Sequence, residues 1–259
     1  MKLSQRLNTI CEWIPGGSRL ADIGSDHALL PTYAVQEGRA VFAVAGEVNR
    51  GPYNAASKQV AEAGLKNKID VRLGDGLAAI QPGEVDVITI AGMGGALIVR
   101  ILTEGKVKLA GVKRLILQPN VGEDLVRRWL LEEGWLLTAE RMLEEDGKIY
   151  EVLVGDRAES AEQAQELNNR LYADTQIGEP PITLGREQLL EFGPFLVQEA
   201  SSVFHEKWIG EIAKLERVAG SMGRSDSEDA RGKKEALERH IQFLKEVLAC
   251  LPKDKPSSN

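Results

Sequence analysis

Short β-branched apolar runs alternate with stretches of helical period from the first residues to about residue 157. A chain built from repeated strand–helix units closes into a mainly parallel sheet covered by helices. Five runs can be placed, at Arg19–Ile23, Val41–Gly46, Ile69–Leu73, Val85–Ile90 and Arg114–Gln118. Each stops at Gly, Asp, Glu or Asn instead of fading into the next helix. A helical stretch at Gly122–Glu133 is followed by two strand-like runs, Trp135–Leu143 and Lys148–Gly155, joined by the acidic turn Glu144–Gly147. Two runs joined so tightly pair antiparallel. The expectation is an α/β, Rossmann-like, seven-stranded domain over residues 1–157.

The period changes at Ala158. Ala161–Asp174 reads as a helix, Gly178–Pro194 as a Gly- and Pro-bearing connection, and two long helices follow around a polar turn at Gly220–Ser227. Trp208, Ile212, Leu215, Ala219 and Met222 step 4, 3, 4, 3 along the first helix, and Leu237, Ile241, Leu244, Leu248 and Leu251 do so along the second. That spacing is the seam of a coiled coil, closed within the chain or between chains. The alternative is an ordinary amphipathic pair lying flat on the α/β domain. Residues 158–259 are thus expected to form a C-terminal helical, coiled-coil domain whose last residues, Pro252–Asn259, fray.

Composition excludes several classes. No apolar run approaches the roughly 20 residues that span a bilayer, and the first residues lack a signal peptide's apolar stretch, so a cytoplasmic protein with no membrane association is expected. Cys11 and Cys250 form no CxxC pair, which points to buried thiols and to no metal site. The net charge is -7, and residues 1–157 carry 19 basic and 21 acidic side chains, so most of the acidity lies beyond them. Such a chain does not grip nucleic acid by bulk electrostatics; any RNA contact relies on local patches.

The strand ends carry the chemistry, because open α/β sheets bind ligands beyond the carboxyl ends of their strands. In Leu20–Ala28 (LADIGSDHA), Asp22 and Gly24 fall there. A dinucleotide site wants G-x-G-x-x-G so that pyrophosphate meets bare backbone. Here Asp26 stands at the second glycine position and would repel a pyrophosphate, whereas the cationic S-adenosylmethionine, free of phosphate, is compatible with carboxylates. Gly46-Glu47 ends the second strand, 25 residues after Asp22, where a carboxylate accepts both ribose hydroxyls. Gly74-Asp75-Gly76 ends the third, suited to an adenine amino group. Ala91-Gly92-Met93-Gly94-Gly95 then offers bare backbone beside the methyl donor, in place of the Asn/Asp-Pro-Pro-aromatic run common in amino-methyltransferases, or else small residues for helix–sheet packing. Gln118 and Asn120 carry amides that reach a base edge or cap the helix after them.

Taken with Leu3–Leu7 (LSQRL), Ala45–Pro52 (AGEVNRGP), Gly74–Leu77 (GDGL), Leu117–Asn120 (LQPN) and Glu191–Pro194 (EFGP), these motifs resemble one family over nearly the whole chain. It is the bacterial TrmK-like tRNA adenine-N1 methyltransferases, which modify adenosine 22 in the D-arm. The resemblance implies a class I methyltransferase domain with a C-terminal coiled coil, S-adenosylmethionine as donor and tRNA as acceptor. It carries Asp22, Gly24, Glu47, Asp75 and Gly76 over as cofactor contacts, and the same loops add Ser25, Val48, Ala91, Gly92 and Met93. Asp26, His27, Gln118 and Asn120 are expected around the target base, although a histidine in such a loop also serves simply to cap or pack.

Adenine N1 lies on the Watson–Crick edge, so the arm must open before transfer, and RNA contacts beyond the pocket are expected. The candidates are Lys66, Lys68, Arg72, Lys106, Lys108, Lys113 and Arg114, then Arg231, Lys233, Lys234 and Arg239 on the last helix; the alternative for each is a solvated face. A monomer or weak dimer is expected. Two rival readings remain at this level: a related enzyme acting on another RNA position, a protein or a small molecule, and a non-catalytic RNA-binding module with a vestigial site.

Overall fold

A computed structural model describes residues 2–222 and 228–252. The chain divides into two compact units, Met1–Leu171 and Tyr172–Asn259.

The first unit runs α1 (Gln5–Glu12), β1 (Ser18–Ile23), α2 (Leu29–Gln36), β2 (Ala40–Glu47), α3 (Arg50–Glu62), β3 (Ile69–Leu73), β4 (Val87–Met93), α4 (Gly95–Glu104), β5 (Arg114–Pro119), α5 (Glu123–Glu132), β6 (Trp135–Glu145), β7 (Lys148–Arg157) and α6 (Ala161–Leu171). Its seven strands are ordered β3-β2-β1-β4-β5-β7-β6, with β1–β5 parallel and β7 antiparallel to both neighbours. The order reverses between β1 and β4, so a crevice opens at their carboxyl ends.

Central strands covered on both faces need continuous apolar runs, and Val87–Ile90 of β4 and Leu115–Leu117 of β5 are buried throughout. Ile10 and Ile14 near α1, Leu30 and Ala34 of α2, and Leu20 and Ala43 of the sheet share one core. Each large aliphatic side chain buried there contributes roughly 1.5–3 kcal/mol. The tip of the β6–β7 hairpin holds the start of α1: the Glu145 carboxylate accepts from the backbone amides of Gln5 and Arg6, and Ser4 Oγ accepts from the Leu7 amide at 3.2 Å. These contacts satisfy amides that a helix start otherwise leaves open.

A fully buried ion cluster joins α5 to the hairpin. Arg127 Nε donates to Glu140 Oε1 at 2.6 Å, and its Nη2 donates to Glu151. Burial alone would depress the guanidinium pKa; the two carboxylates outweigh it and keep the group charged.

The second unit opens with a two-stranded antiparallel ribbon, β8 (Thr175–Ile177) and β9 (Ile182–Leu184), followed by α7 (Arg186–Phe192), α8 (Pro194–Glu199), α9 (Ser202–Met222) and α10 (Glu228–Cys250). Phe192 packs edge-on against Trp208 with centroids 4.5 Å apart, and Phe204 and Phe243 complete the aromatic cluster. Helices α9 and α10 pack on each other as a hairpin. The expected seam faces inward: Trp208, Ile212, Ala219, Ile241, Leu244, Leu248 and Leu251 are buried, with Leu215, Met222 and Leu237 half-buried. Lys245 Nζ meets Glu216 Oε1 at 2.7 Å across the pair.

Three expectations shift. Of the polar turn expected at 220–227, Gly220–Met222 continue α9, and residues 223–227 lie outside the described residues, as do 253–259 of the tail. The connection at 178–194 contains β9 and α7. The boundary expected after residue 157 falls after Leu171, because α6 is fastened to the sheet: Asn168 Nδ2 donates to the Trp135 carbonyl at 3.1 Å. Cys11 and Cys250 are buried free thiols, and burial pushes the Cys11 thiol up to about 11. Among the described residues, no helix is long and apolar enough to cross a membrane, and no three His, Cys, Asp or Glu side chains gather to hold a metal ion.

Candidate active site at the carboxyl ends of the sheet

Asp22 is buried on β1 and is register partner to Thr89 on β4. Thr89 Oγ1 donates to its Oδ1 at 2.6 Å, and Ser25 Oγ donates to its Oδ2 at 2.6 Å. Burial raises the Asp22 pKa, and the two hydroxyls oppose that rise. With Ser25 also buried and turned inward, this pair shapes the loop after β1 and anchors the strand end. Asp22, expected as a cofactor contact, is thus placed inside the strand end with both carboxylate oxygens occupied.

The loop itself is strained. Gly24 is left-handed at φ 70°, and Asp26, His27 and Ala28 follow at φ 39°, 66° and 54°. Three successive non-glycine residues in this region are costly and persist only where the surroundings enforce them. A Cβ on Gly24 would fall 2.2 Å from Met93 Cε, so the Met93 side chain lies across bare backbone there. Asp26 and His27 are exposed, with Oδ1 and Nε2 3.5 Å apart.

Glu47 ends β2 beside this loop. It is buried, and among the described residues its Oε1 has no hydrogen-bond partner. Its pKa is raised by burial first; the Asp26 backbone amide pulls it down, while the charges of Asp22 and Asp26 push it further up. A buried carboxylate oxygen left open is expensive unless something supplies donors. Two vicinal ribose hydroxyls would do so, and this is the best fit of the site to S-adenosylmethionine. Val48 beside it is exposed.

Asp75 and Gly76, after β3, line a cavity of about 280 Å³ with Leu77, Arg100 and Ile101 among its walls. Gly76 is left-handed at φ 52°, and a Cβ there would press Ile101 Cγ2 at 3.0 Å. Asp22, Ser25, Asp26, His27 and Glu47 are thus gathered around one loop, while Asp75 and Gly76 follow the adjacent strand β3, whose end is tied to Glu47 by the Gly74 amide at 2.9 Å.

The ends of β4 and β5 form the other wall. Gln118 is buried and fully occupied: Oε1 accepts from Arg6 Nη1 at 2.6 Å and from the Gly92 amide at 3.0 Å, while Nε2 donates to the Pro119 carbonyl at 2.8 Å and to Asn120 Oδ1 at 3.1 Å. Expected at a base edge, it has no hydrogen-bonding position left for one and instead pins the Ala91–Gly92–Met93 loop. Asn120 is exposed and fastened by its backbone amide to the Met93 carbonyl at 2.7 Å. Arg6, which lies inside the LSQRL motif but is given no role by it, joins Thr89 and Tyr150 as further parts of this arrangement. Thr89 had a signal, a lone polar residue inside an apolar run. Arg6 also lies over the Tyr150 ring, 5.3 Å from its centroid.

Several expected phosphate contacts are engaged within the fold. Arg72 pairs with Asp70 and Glu84, Arg114 with Asp156, and Lys106 with Glu133; Lys108 Nζ donates to the Ile80 carbonyl. Carboxylates and, for Lys108, a backbone carbonyl, brought close by the fold, claim these cations.

A mixed sheet with one reversed strand near its edge, acidic strand ends and no phosphate-binding glycine run defines a Rossmann-like methyltransferase. The family model described as TrmK, tRNA (adenine(22)-N(1))-methyltransferase, matches residues 20–246, and the chain belongs to this family. It is 44% identical over 249 residues to the tRNA (adenine(22)-N(1))-methyltransferase of Bacillus subtilis (strain 168), covering 96% of this chain and 98% of that one. The crystal structure of the B. subtilis m1A22 tRNA methyltransferase TrmK superposes with a TM-score of 0.84 at 43% identity, covering 95% of this chain and 99% of that one. The structure of Streptococcus pneumoniae Sp1610, described as a putative tRNA (m1A22) methyltransferase in complex with S-adenosyl-L-methionine, gives 0.78 at 43% identity over 95% and 100%.

Proposed function

We propose that this chain transfers a methyl group from S-adenosylmethionine to N1 of adenine 22 in the D-arm of tRNA. The observation that carries the donor site is the open Oε1 of buried Glu47, beside a loop that begins at left-handed Gly24. Family membership carries the acceptor.

S-adenosylmethionine supplies an electrophilic methyl group on a sulfonium. Glu47 would hold the ribose, Asp75 the adenine amino group, and the Gly24 and Gly92 backbones the donor's remaining length. Adenine N1 carries its lone pair in the ring plane and needs alignment more than a general base. Gln118 therefore acts by holding the Gly92–Met93 backbone in place, and Asn120 presents an amide to the base. The methylated ring is cationic, and the Asp26 carboxylate at the mouth would stabilise the charge as it develops. His27 orients Asp26 through their contact.

The α9–α10 hairpin reads as a two-helix coiled coil that adds RNA affinity through Arg231, Lys233, Lys234 and Arg239. The enzyme would act in the cytoplasm, as a monomer or weak dimer and without a metal. Mass spectrometry of nucleosides from tRNA incubated with protein and donor tests the reading. 1-Methyladenosine is expected; a different methylated nucleoside, or none, would overturn it.

A further inference from the structure

Beside the site, at the junction of the β5 end with the β6–β7 hairpin, lies a cavity of about 380 Å³ bounded by Asn120, Lys148, Ile149 and Tyr150. Its size falls at the small end of ligand clefts, ~300–1,000 Å³. None of the donor contacts proposed above lines it, yet it adjoins them: Asn120 is tied to Met93, and Tyr150 to Arg6 and so to Gln118.

The chemistry of its walls is specific. Tyr150 is half-buried, an aromatic ring at the rim of the core instead of inside it. Among the described residues its hydroxyl has no hydrogen-bond partner, and the Arg6 guanidinium lies over one face of the ring, 5.3 Å from its centroid, which leaves the opposite face for a base. Lys148 is exposed, and among the described residues its ammonium has no carboxylate partner, in contrast to Lys106 and Arg72. Its cross-strand neighbour Glu145 is committed to the start of α1. Asn120 accepts from Gln118 through Oδ1, which leaves its Nδ2 protons for an incoming group. An aromatic face, an uncompensated cation and a free amide within one small cleft match a nucleotide's base, phosphate and base edge. In a chain of net charge -7, such a local cation is where a polyanion gains purchase.

We propose that this cleft seats a second nucleotide of the RNA acceptor, next to the target adenine. Its base stacks on the face of Tyr150 opposite Arg6 and its phosphate meets Lys148, while Asn120 Nδ2 turns one proton to its edge and the other to the target adenine. The inference rests on the proposed function and deepens it. Holding the neighbour in this way would keep the target adenine unstacked and turned toward the Gly92–Met93 loop.

The test is steady-state methylation of tRNA by Tyr150→Leu, Tyr150→Phe and Lys148→Ala, with S-adenosylmethionine affinity measured by calorimetry. Tyr150→Leu should raise KM for tRNA about tenfold or more, while Tyr150→Phe, which keeps the ring, stays near wild type. Lys148→Ala should raise KM and reduce the slope of log KM against log salt by about one. Donor affinity should hold in all three. Lys148 is exposed, so its variant reads the cleft even if Tyr150→Leu folds poorly. Unchanged KM in Lys148→Ala and in folded Tyr150→Leu would overturn the inference; so would a fall in kcat at constant KM, which would place the target base itself in the cleft. Wild-type protein that methylates no tRNA would instead strike the parent reading.

Discussion

Arg6 Nη1 and Gln118 Oε1 lie 2.6 Å apart, joining the first helix to the end of β5 across 112 residues of sequence. The same oxygen takes the Gly92 amide, so a guanidinium on α1 polarises the group that holds the Ala91–Gly92–Met93 loop. Arg6→Ala should lower kcat for methyl transfer by roughly tenfold to hundredfold, the range expected for a hydrogen bond to a charged group. Donor affinity and melting temperature should change little. Single-turnover rates with Arg6→Ala, Gln118→Ala and the double variant check this; the two losses should not add.

Glu47 predicts a trade of stability against binding. Its folded pKa is raised above the ordinary 4.5, mainly by burial. The native state therefore holds its proton more tightly than the unfolded chain. The stability this confers is full below the unfolded value and lost as pH rises through the folded one. At pH 7 the ionised group is a cost, so Glu47→Gln should raise the melting temperature of donor-free protein by roughly 2–4 °C per kcal/mol relieved. Differential scanning fluorimetry across pH 4–8 reads it; a lower melting temperature at pH 7 would contradict the assignment.

The Arg127 cluster predicts the opposite sign. Arg127→Met leaves Glu140 and Glu151 buried without their partner, at a cost of about 3–5 kcal/mol. Melting should fall by on the order of 10 °C. Lysine should not rescue it, because one ammonium cannot reproduce a planar fork that reaches two carboxylates. Replacing all three by apolar residues should recover most of the loss.

How much of this is written in the chain itself varies by element. β3 lies at the residues expected, 69–73, because its apolar run is cut off sharply by glycine. β4 runs to Met93, past the expected Ile90, because left-handed Gly92 sits in a register shift that lets Met93 pair with Pro119. β8 and β9 have three residues each, too few for alternation to register. Acidic strand ends are legible as positions, yet the opposite states of Asp22 and Glu47, one saturated by hydroxyls and one open, depend on Thr89 from another strand. Arg6 is illegible for the same reason: its partner is set by the closure of the fold.

The hairpin predicts a separation of affinities. Lys234 and Arg239 are only loosely paired with Glu238 and Glu235, at 3.7 and 3.8 Å, and such exposed pairs cost little to break. Changing Arg231, Lys233, Lys234 and Arg239 to glutamate should weaken tRNA binding at least about tenfold at low salt. S-adenosylmethionine affinity should be unaltered. Fluorescence titration with labelled tRNA reads the first and calorimetry the second; equal tRNA affinity would remove α10 from the RNA surface.

The buried Glu47 carboxylate with its open Oε1 is where donor binding is expected to be felt most. Calorimetric titration of S-adenosylmethionine into wild-type protein and Glu47→Gln measures that directly. Wild type should bind, and the variant should bind about ten to a hundredfold more weakly, the equivalent of one or two hydrogen bonds to a charged acceptor. Equal affinity in the two proteins, or no heat in the wild type, would contradict it.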